Sequence, residues 1–213
     1  MKKILFLLTF CLLASVQTVS AQRRDDLSRY LAGAVPVVDG YVQFEKSFTV
    51  KGKNKAEIHQ ALFDFTKKEL VEGPEQLPQA RTTESDAAEG VIAASIEEYL
   101  YFKRTNWVTH RVRFYYQIVY TVKDEAYTVQ IRRLHYRYDP ETTAGEFDED
   151  RRAEKWITDE EALSKDGKKL TRIAGKFRRF TIDRVDDIFY QSAIATGAKK
   201  QKKYKMVEVE DED

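Results

Sequence analysis

The chain has 213 residues, 36 of them Lys or Arg and 35 Asp or Glu, so its formal net charge is +1. A nearly neutral chain is not drawn as a whole to nucleic acid or to an anionic membrane, and such binding would need a local basic patch. The only cysteine is Cys11, so the sequence after it cannot form an internal disulfide. The fold must therefore rest on a hydrophobic core, to which 12 Phe and 12 Tyr can contribute.

The first 21 residues have the three parts of a secretory signal peptide. Lys2 and Lys3 precede an apolar run from Ile4 to Ala14, and a small-residue exit ends at Ala21. The run is too short to span a bilayer, which takes about 20 residues. We expect cleavage after Ala21, export to the periplasm, cell surface or exterior, and no transmembrane segment in the mature chain. Since this leader carries two lysines and no acid, the mature 192 residues would have 34 basic and 35 acidic side chains.

The first strand and helix are predicted between residues 41 and 70, after a lead-in at 22–40. Apolar and polar residues alternate from Tyr41 to Val50, which predicts a half-buried strand whose apolar face is interrupted by Lys46. Asn54 then suits the N-cap of a helix that runs to about Leu70. The core-facing stripe of that helix would comprise Ile58, Ala61, Leu62 and Phe65.

Four further strands are predicted, most of them antiparallel. A polar edge strand over Arg81–Asp86 is followed by a strand over Val91–Phe102. Alternation from Val108 to Val122, interrupted only by His110, predicts one long strand with one buried face. A tight turn then returns the chain into a strand over Ala126–Tyr138.

The phase of this last strand changes at Arg132–Arg133. Apolar residues occupy odd positions before this point and even positions after it, namely Tyr127, Val129 and Ile131, then Leu134, Tyr136 and Tyr138. A β-bulge would produce the change, because one extra residue re-aims every side chain after it. A strand that bends or ends there is the alternative.

The C-terminal part predicts an acidic loop at 141–150 followed by helices. Thr158 and Glu161 have the spacing of a capping box. Thr181 suits the N-cap of a separate last helix that ends at Gly197. Ahead of that helix, a second apolar stripe comprises Leu170, Ile173, Ala174 and Phe177.

The order of elements predicts an α+β fold with helices on one face of an antiparallel sheet of about five strands. The export signal is followed by a strand ending in Phe48–Lys53, the helix around Ile58–Phe65 and a hairpin turning at Lys123–Asp124. With these features the segment from Tyr41 to Tyr138 resembles the exported bacterial domain of unknown function 4468 family, which has a TATA-box-binding-protein-like (TBP-like) fold. The resemblance implies a curved antiparallel β-sheet backed by helices and carries over no catalytic residue. The predicted units are the TBP-like domain at 41–139, a loop and helical C-terminal extension packing on the core at 140–198, and a charged, disordered tail at 199–213.

No catalytic or metal-binding constellation is recognisable in the sequence. His59, His110 and His135 are far apart and lack carboxylates at metal-ligand spacing; we expect His59 on the surface and His110 in the core. No glycine-flanked serine or phosphate-binding glycine motif occurs, and the adjacent acids at 97–98, 159–161 and 186–187 diverge. The sequence thus predicts a protein that is not an enzyme and has no metal or cofactor. A hydrolase with an unrecognised site is the least favoured alternative.

Arginine and tyrosine collect on the outer face of the predicted hairpin and the strand beside it. The candidate partner-binding residues are Tyr99, Tyr101, Arg111, Arg113, Tyr115 and Arg132, with Arg133 or Arg137 as a further member. Arg can hold a carboxylate or phosphate through two hydrogen bonds, and Tyr adds flat amphipathic area, so the combination is typical of binding surfaces. The alternative is that these residues serve only cross-strand pairing and solubility.

Two charged positions interrupt otherwise apolar strand faces. They are Lys46 and one of Glu97 or Glu98. An edge position or a buried salt bridge would explain them. The functional alternative is a polar group inside a ligand pocket.

The leading hypothesis is an exported, non-catalytic binding or accessory module of the cell envelope. Its partner would be an unknown protein or small molecule, and a homo-oligomer is compatible with the pattern. A carrier of a small apolar or anionic ligand is the alternative, marked by a closed cavity between sheet and helices that Lys46 or His110 reaches. Nucleic acid is not expected, because export and the mature charge balance both oppose phosphate contacts.

Overall fold

A computed structural model of the protein describes residues 27–138 and 151–200. The predicted signal peptide, the acidic loop at 141–150 and the tail beyond residue 200 lie outside the described residues. Within the described part, none of the helices combines the length and apolarity needed to cross a membrane.

The described chain forms one sheet and a helical layer. The strands are β1 Val37–Val38, β2 Tyr41–Thr49, β3 Arg81–Asp86, β4 Val91–Arg104, β5 Thr109–Lys123, β6 Ala126–Arg137 and β7 Arg151–Arg152. The helices are α1 Lys55–Phe65, which continues into a π-helical segment Thr66–Val71, the short α2 Asp159–Ala162, and α3 Ala174–Thr196. Single 3-10 turns lie at Leu27–Tyr30 and Ala153–Lys155.

The sheet is antiparallel throughout, with the order β1-β2-β6-β5-β4-β3 and β7 paired to the end of β6. The long strands β2 to β6 are the five predicted strands. β1 and β7 contribute two residues each and raise the total to seven. The predicted α+β fold, with an antiparallel sheet and helices, is confirmed.

Asn54 begins α1 as predicted. Its side-chain oxygen accepts a hydrogen bond from the backbone N–H of Glu57 at 3.0 Å, and the Glu57 carboxylate accepts one from the Asn54 N–H at 2.9 Å. This reciprocal capping box satisfies two N–H groups that the helix leaves open. The predicted residues Ile58, Leu62 and Phe65 are buried, so α1 presents its apolar stripe to the core.

The long helix α3 lies on the same face of the sheet as α1. Three polar pairs join it to β6 and β4: Tyr136 with Thr181 at 2.6 Å, Tyr127 with Ser192 at 3.1 Å, and Glu98 with Arg184 at 2.8 Å. Burial raises the pKa of Tyr136 and of Tyr127, so both hydroxyls stay protonated and available for these bonds.

The prediction that a separate last helix begins at Thr181 is wrong. Thr181 is fully buried in the interior of α3. Phe177 and Val185, one turn before and one turn after it, are buried on the same face and hold the helix continuous across this position. The Thr181 hydroxyl bonds to Tyr136 across the core instead of capping a helix end.

Of the other predicted helix ends, one is confirmed and one is wrong. Gly197 terminates α3 as predicted, with a left-handed φ of 82° that favours glycine. Thr158 precedes α2, but its hydroxyl donates back to the Glu154 carbonyl at 3.4 Å and makes no cap bond, so the predicted capping box with Glu161 is wrong. Ile173 of the predicted stripe precedes α3 and is exposed.

A β-bulge accounts for the phase change in β6. Arg133 and Leu134 together face the single residue Tyr116 of β5, and the register shifts at this point. Arg133 has a φ of 57°, in the left-handed region. The bulge is therefore confirmed, and the strand continues beyond it to Arg137.

Two histidine predictions are wrong. His59 is buried, and its Nε2 lies 3.3 Å from the Val91 carbonyl, because the flank of α1 packs against the start of β4. His110 is exposed instead of buried, because it is the second residue of β5 and lies at the open end of the sheet.

Candidate binding face

The six predicted site residues all lie on the sheet face opposite α1 and α3. We call this set the Arg/Tyr face; its members are Tyr99, Tyr101, Arg111, Arg113, Tyr115 and Arg132. Their neighbours along the strands, such as Leu100 and Val112, point into the core and are buried, so alternation turns the six outward. All six are half-buried.

Stacked cations and rings form the end of this face. Tyr101 pairs with Arg111 across β4 and β5, and Tyr99 pairs with Arg113. The Arg111 guanidinium lies 3.7 Å from the centre of the Tyr99 ring, and that of Arg104 lies 4.7 Å from the Tyr101 ring. Such contacts attract the cation to the face of the ring. The two tyrosine rings are themselves 6.1 Å apart.

Glu75 anchors Arg104 at the margin of the face. The Arg104 guanidinium donates a hydrogen bond to the Glu75 carboxylate at 2.5 Å. Burial would raise the pKa of Glu75, but hydrogen bonds from Arg104 and Tyr101 outweigh it and lower the pKa. Arg104 is therefore held over Tyr101 by a charged partner.

A buried carboxylate lies beneath the middle of the face. Glu97 is buried, pairs with Tyr115 in the strand register, and has its Oε1 3.7 Å from Arg113. Burial, followed by the hydrogen bond to Glu97, raises the pKa of Tyr115. The Tyr115 ring is stacked on His135 at 4.4 Å, with the planes 6° apart. Because its pKa is raised, the Tyr115 hydroxyl stays protonated at neutral pH and can donate its hydrogen bond to Glu97.

Arg132 lies at the boundary of the group. It precedes the β6 bulge, and its Nε donates to the Gln117 side chain at 3.1 Å. The structure thus brings five of the predicted residues together and places Arg132 one register pair further along the sheet.

Sequence reasoning missed two members of the surface and left a third undecided. His135 and Arg137 lie on this face beyond the bulge, and Arg137 pairs with Arg113. Of the two further candidates named from the sequence, Arg137 therefore lies on the face, whereas Arg133 lies in the bulge itself. Carrying the alternation through the bulge would have found His135. Arg152 pairs with His135 through β7, a contact that no local pattern signals.

The two charges on the inner face have structural explanations. Lys46 is exposed and extends toward the Phe189 ring, with its ammonium 5.7 Å from the ring centre. Glu98 is buried and accepts two hydrogen bonds from Arg184, both at 2.8 Å. Gln76 and Tyr116 donate to it as well, at 2.9 and 3.2 Å. The inner face therefore holds a snorkelling lysine and a buried salt bridge.

The space between sheet and helices is occupied by packed core side chains. His110 does line a cavity, of about 270 Å³. This cavity opens at the end of the sheet beside the start of α3, and not between the sheet and the helices as the carrier alternative would require. Within residues 27–138 and 151–200, no three His, Cys, Asp or Glu side chains are grouped so as to hold a metal ion.

Comparison with known proteins places the chain in a family. The family model described as "Domain of unknown function (DUF4468) with TBP-like fold" matches residues 44–137. A crystal structure of a DUF4468 family protein from Bacteroides ovatus ATCC 8483 is similar at 35% identity and a TM-score of 0.74, covering 84% of this chain and 100% of that chain. This chain belongs to the DUF4468 family. The resemblance inferred from the sequence is therefore confirmed.

A second solved structure shares the fold of this DUF4468 protein. It is a TBP-like protein from Parabacteroides distasonis ATCC 8503, with 20% identity and a TM-score of 0.60, covering 76% of this chain and 97% of that chain. A search of curated proteins gave no match. The Bacteroides ovatus relative covers far more of the chain than residues 44–137, so it shares at least part of the C-terminal helical extension that the sequence set apart from the family pattern.

Proposed function

We propose that this DUF4468 protein is an exported, non-catalytic binding module of the cell envelope. Its Arg/Tyr face would hold a partner that carries carboxylate groups. The observation that carries the proposal is the cluster of half-exposed arginines and tyrosines on the sheet face turned away from the helices, with Arg111 stacked on Tyr99 at 3.7 Å.

Stacking prepares these side chains for binding. A guanidinium has several N–H donors, so an arginine held on a ring can still offer hydrogen bonds to a carboxylate of the partner. Arg111 and Arg104 are already held on tyrosine rings, so less side-chain freedom is lost when a partner arrives. Tyr99 and Tyr101 add flat area that excludes water around those bonds.

The first 21 residues support the proposed location. Their basic start, apolar run and small-residue exit support export with cleavage after Ala21. Intact-mass measurement of the protein recovered from its own host should give a chain that begins at Gln22. A chain that retains Met1 and stays in the cytoplasmic fraction would contradict the proposed location in the cell envelope.

Co-purification from the cell envelope tests the binding face. In the double variant Tyr101→Ser/Arg137→Gln we expect loss of the partner retained by the wild-type chain, because both positions lie on the face and outside the core. The matched control is Thr121→Ala/Lys123→Gln, two exposed positions at the other end of β5. Equal retention by both variants, at unchanged thermal stability, would overturn the proposal.

A further inference from the structure

The cavity at the end of the sheet combines an apolar wall with cationic side chains. We call it the end cavity. Its volume is about 270 Å³, and its lining residues are Phe102, His110, Arg111, Tyr138, Arg172, Ile173, Lys176 and Phe177. At the roughly 30 Å³ that a water molecule occupies in the liquid, this is the space of roughly nine waters, which suits a small organic molecule.

Aromatic rings form the inner wall. Phe177 is buried and meets Phe102 edge to face, with ring centres 4.7 Å apart, and Tyr138 at 6.3 Å. Ile173 adds an apolar side chain that is 59% exposed at the rim. Rings packed in this way give a rigid apolar wall that a small hydrophobic group can cover.

Among the described residues that line this cavity, the charged side chains are all cationic. Arg111, Arg172 and Lys176 are cationic, and the eight described residues that line the cavity include no Asp or Glu. The Lys176 ammonium lies 5.3 Å from the centre of the Phe102 ring, which places a positive charge directly beside the apolar wall. A cleft lined by one sign of charge concentrates its field and attracts the opposite sign.

We propose that the end cavity binds a small amphiphilic anion, a molecule with one carboxylate-type head and an aromatic or short aliphatic body. The body would lie against Phe102 and Phe177, and the head would meet Lys176 and Arg172 at the rim. The end cavity shares Arg111 with the Arg/Tyr face, but Arg172, Lys176 and Phe177 lie outside that face, so variants at these positions test the cavity alone.

The probe is phenylacetate, which has ten non-hydrogen atoms, compared with its neutral isostere phenylacetamide and with acetate. The chain has two tryptophans, and Trp156 packs on Phe177 at 5.0 Å. In full-length protein carrying Trp107→Phe, the emission of Trp156 therefore reports on the cavity wall. We expect saturable binding of phenylacetate with a dissociation constant on the order of 0.1–1 mM.

The three probes separate the two parts of the proposal. We expect phenylacetamide to bind at least about tenfold more weakly, because it lacks the charge that the cations would hold. Acetate should give no saturable change, because it lacks the ring. Equal binding of the acid and the amide, equal binding of acetate, or no binding of phenylacetate up to 10-fold above the expected range would each overturn the proposal.

Variants test the assignment to these residues. Lys176→Gln and Arg172→Gln should each weaken phenylacetate binding about threefold to tenfold. Lys168→Gln removes the same charge at an exposed position outside the cavity and should leave the affinity unchanged. Ile173→Glu places a carboxylate at the rim, at an exposed position that leaves the core intact, and should abolish binding. Equal losses in Lys168→Gln and Lys176→Gln would contradict a specific site, whatever the outcome for the Arg/Tyr face.

Discussion

The buried ion pair between β4 and α3 gives the sharpest stability prediction. Glu98 is 2% exposed and receives two hydrogen bonds at 2.8 Å from Arg184, whereas Gln76 and Tyr116 are neutral donors. In Arg184→Met the carboxylate would lose its only charged partner among the described residues. Breaking a buried pair from one side costs about 3–5 kcal/mol. We expect about 3 kcal/mol, because a quarter of the Arg184 side chain is exposed and its charge is partly screened.

Urea unfolding followed by circular dichroism would measure this loss. For a chain of this size, about 3 kcal/mol corresponds to a fall in Tm of about 6–12 °C. The matched control is Arg29→Met, which removes an exposed arginine paired with the half-buried Asp183 and the exposed Asp186, and should cost less than about 1 kcal/mol.

A double-mutant cycle with Glu98→Gln separates the pair from the rest of the arginine. Glu98→Gln removes the carboxylate charge that Arg184→Met leaves buried without its partner. The double variant should therefore be about 2 kcal/mol more stable than the sum of the two single-variant losses in unfolding free energy predicts. Additive losses, or a cost for Arg184→Met no larger than that of Arg29→Met, would refute the reasoning.

Three further predictions concern stability. Asn54→Ala removes the capping box of α1 and should lower the free energy of unfolding by about 1 kcal/mol in urea titrations, and an unchanged midpoint would contradict the cap. Arg133→Gly should be neutral or stabilising by up to about 1 kcal/mol, whereas Arg133→Val should destabilise, because the bulge holds this residue at a φ of 57°; equal effects of the two would contradict the strained geometry. Burial raises the pKa of Tyr116, Tyr120 and Tyr136 above the ordinary 10.0, so the unfolded chain loses these protons first and stability is lost as pH rises above about 10. Absorbance at 295 nm should show these tyrosines ionising only together with unfolding, and complete ionisation of the folded protein near pH 10 would rule this out.

Local, periodic signals predicted most of the fold. Alternation along β5 identified its buried face, because strand side chains alternate whatever the rest of the chain does. The cap at Asn54 and the bulge at Arg133 were also predictable, since each leaves a local mark on the sequence.

The features that could not be predicted from the sequence depend on contacts between residues far apart in the chain. Thr181 has the chemistry of an N-cap, but its partner is Tyr136 across the core. Arg178 is fully buried, and its guanidinium donates to the carbonyls of Tyr30 at 2.6 Å and Ile157 at 2.8 Å. No local pattern marks an arginine that ties the lead-in segment to the helical layer.

The candidate face was predictable to the extent that alternation decides it. Tyr99, Arg111 and Tyr115 point outward because of their positions in β4 and β5. The stacking of Arg104 on Tyr101 depends on the register at the open end of the hairpin, where β4 and β5 shift against each other. The carboxylate of Glu97 beneath Arg113 depends on the same register.

Photo-crosslinking in the native host tests the central claim most directly. A benzophenone amino acid in place of Tyr101 would lie on the Arg/Tyr face. The same amino acid in place of the exposed Thr121 would lie at the opposite end of the sheet, near the end of β5. We predict a discrete adduct in the cell envelope from position 101 that weakens when Arg137→Gln is added, and none from position 121. Adducts of equal yield from both positions, or none from position 101, would contradict a binding role for this face.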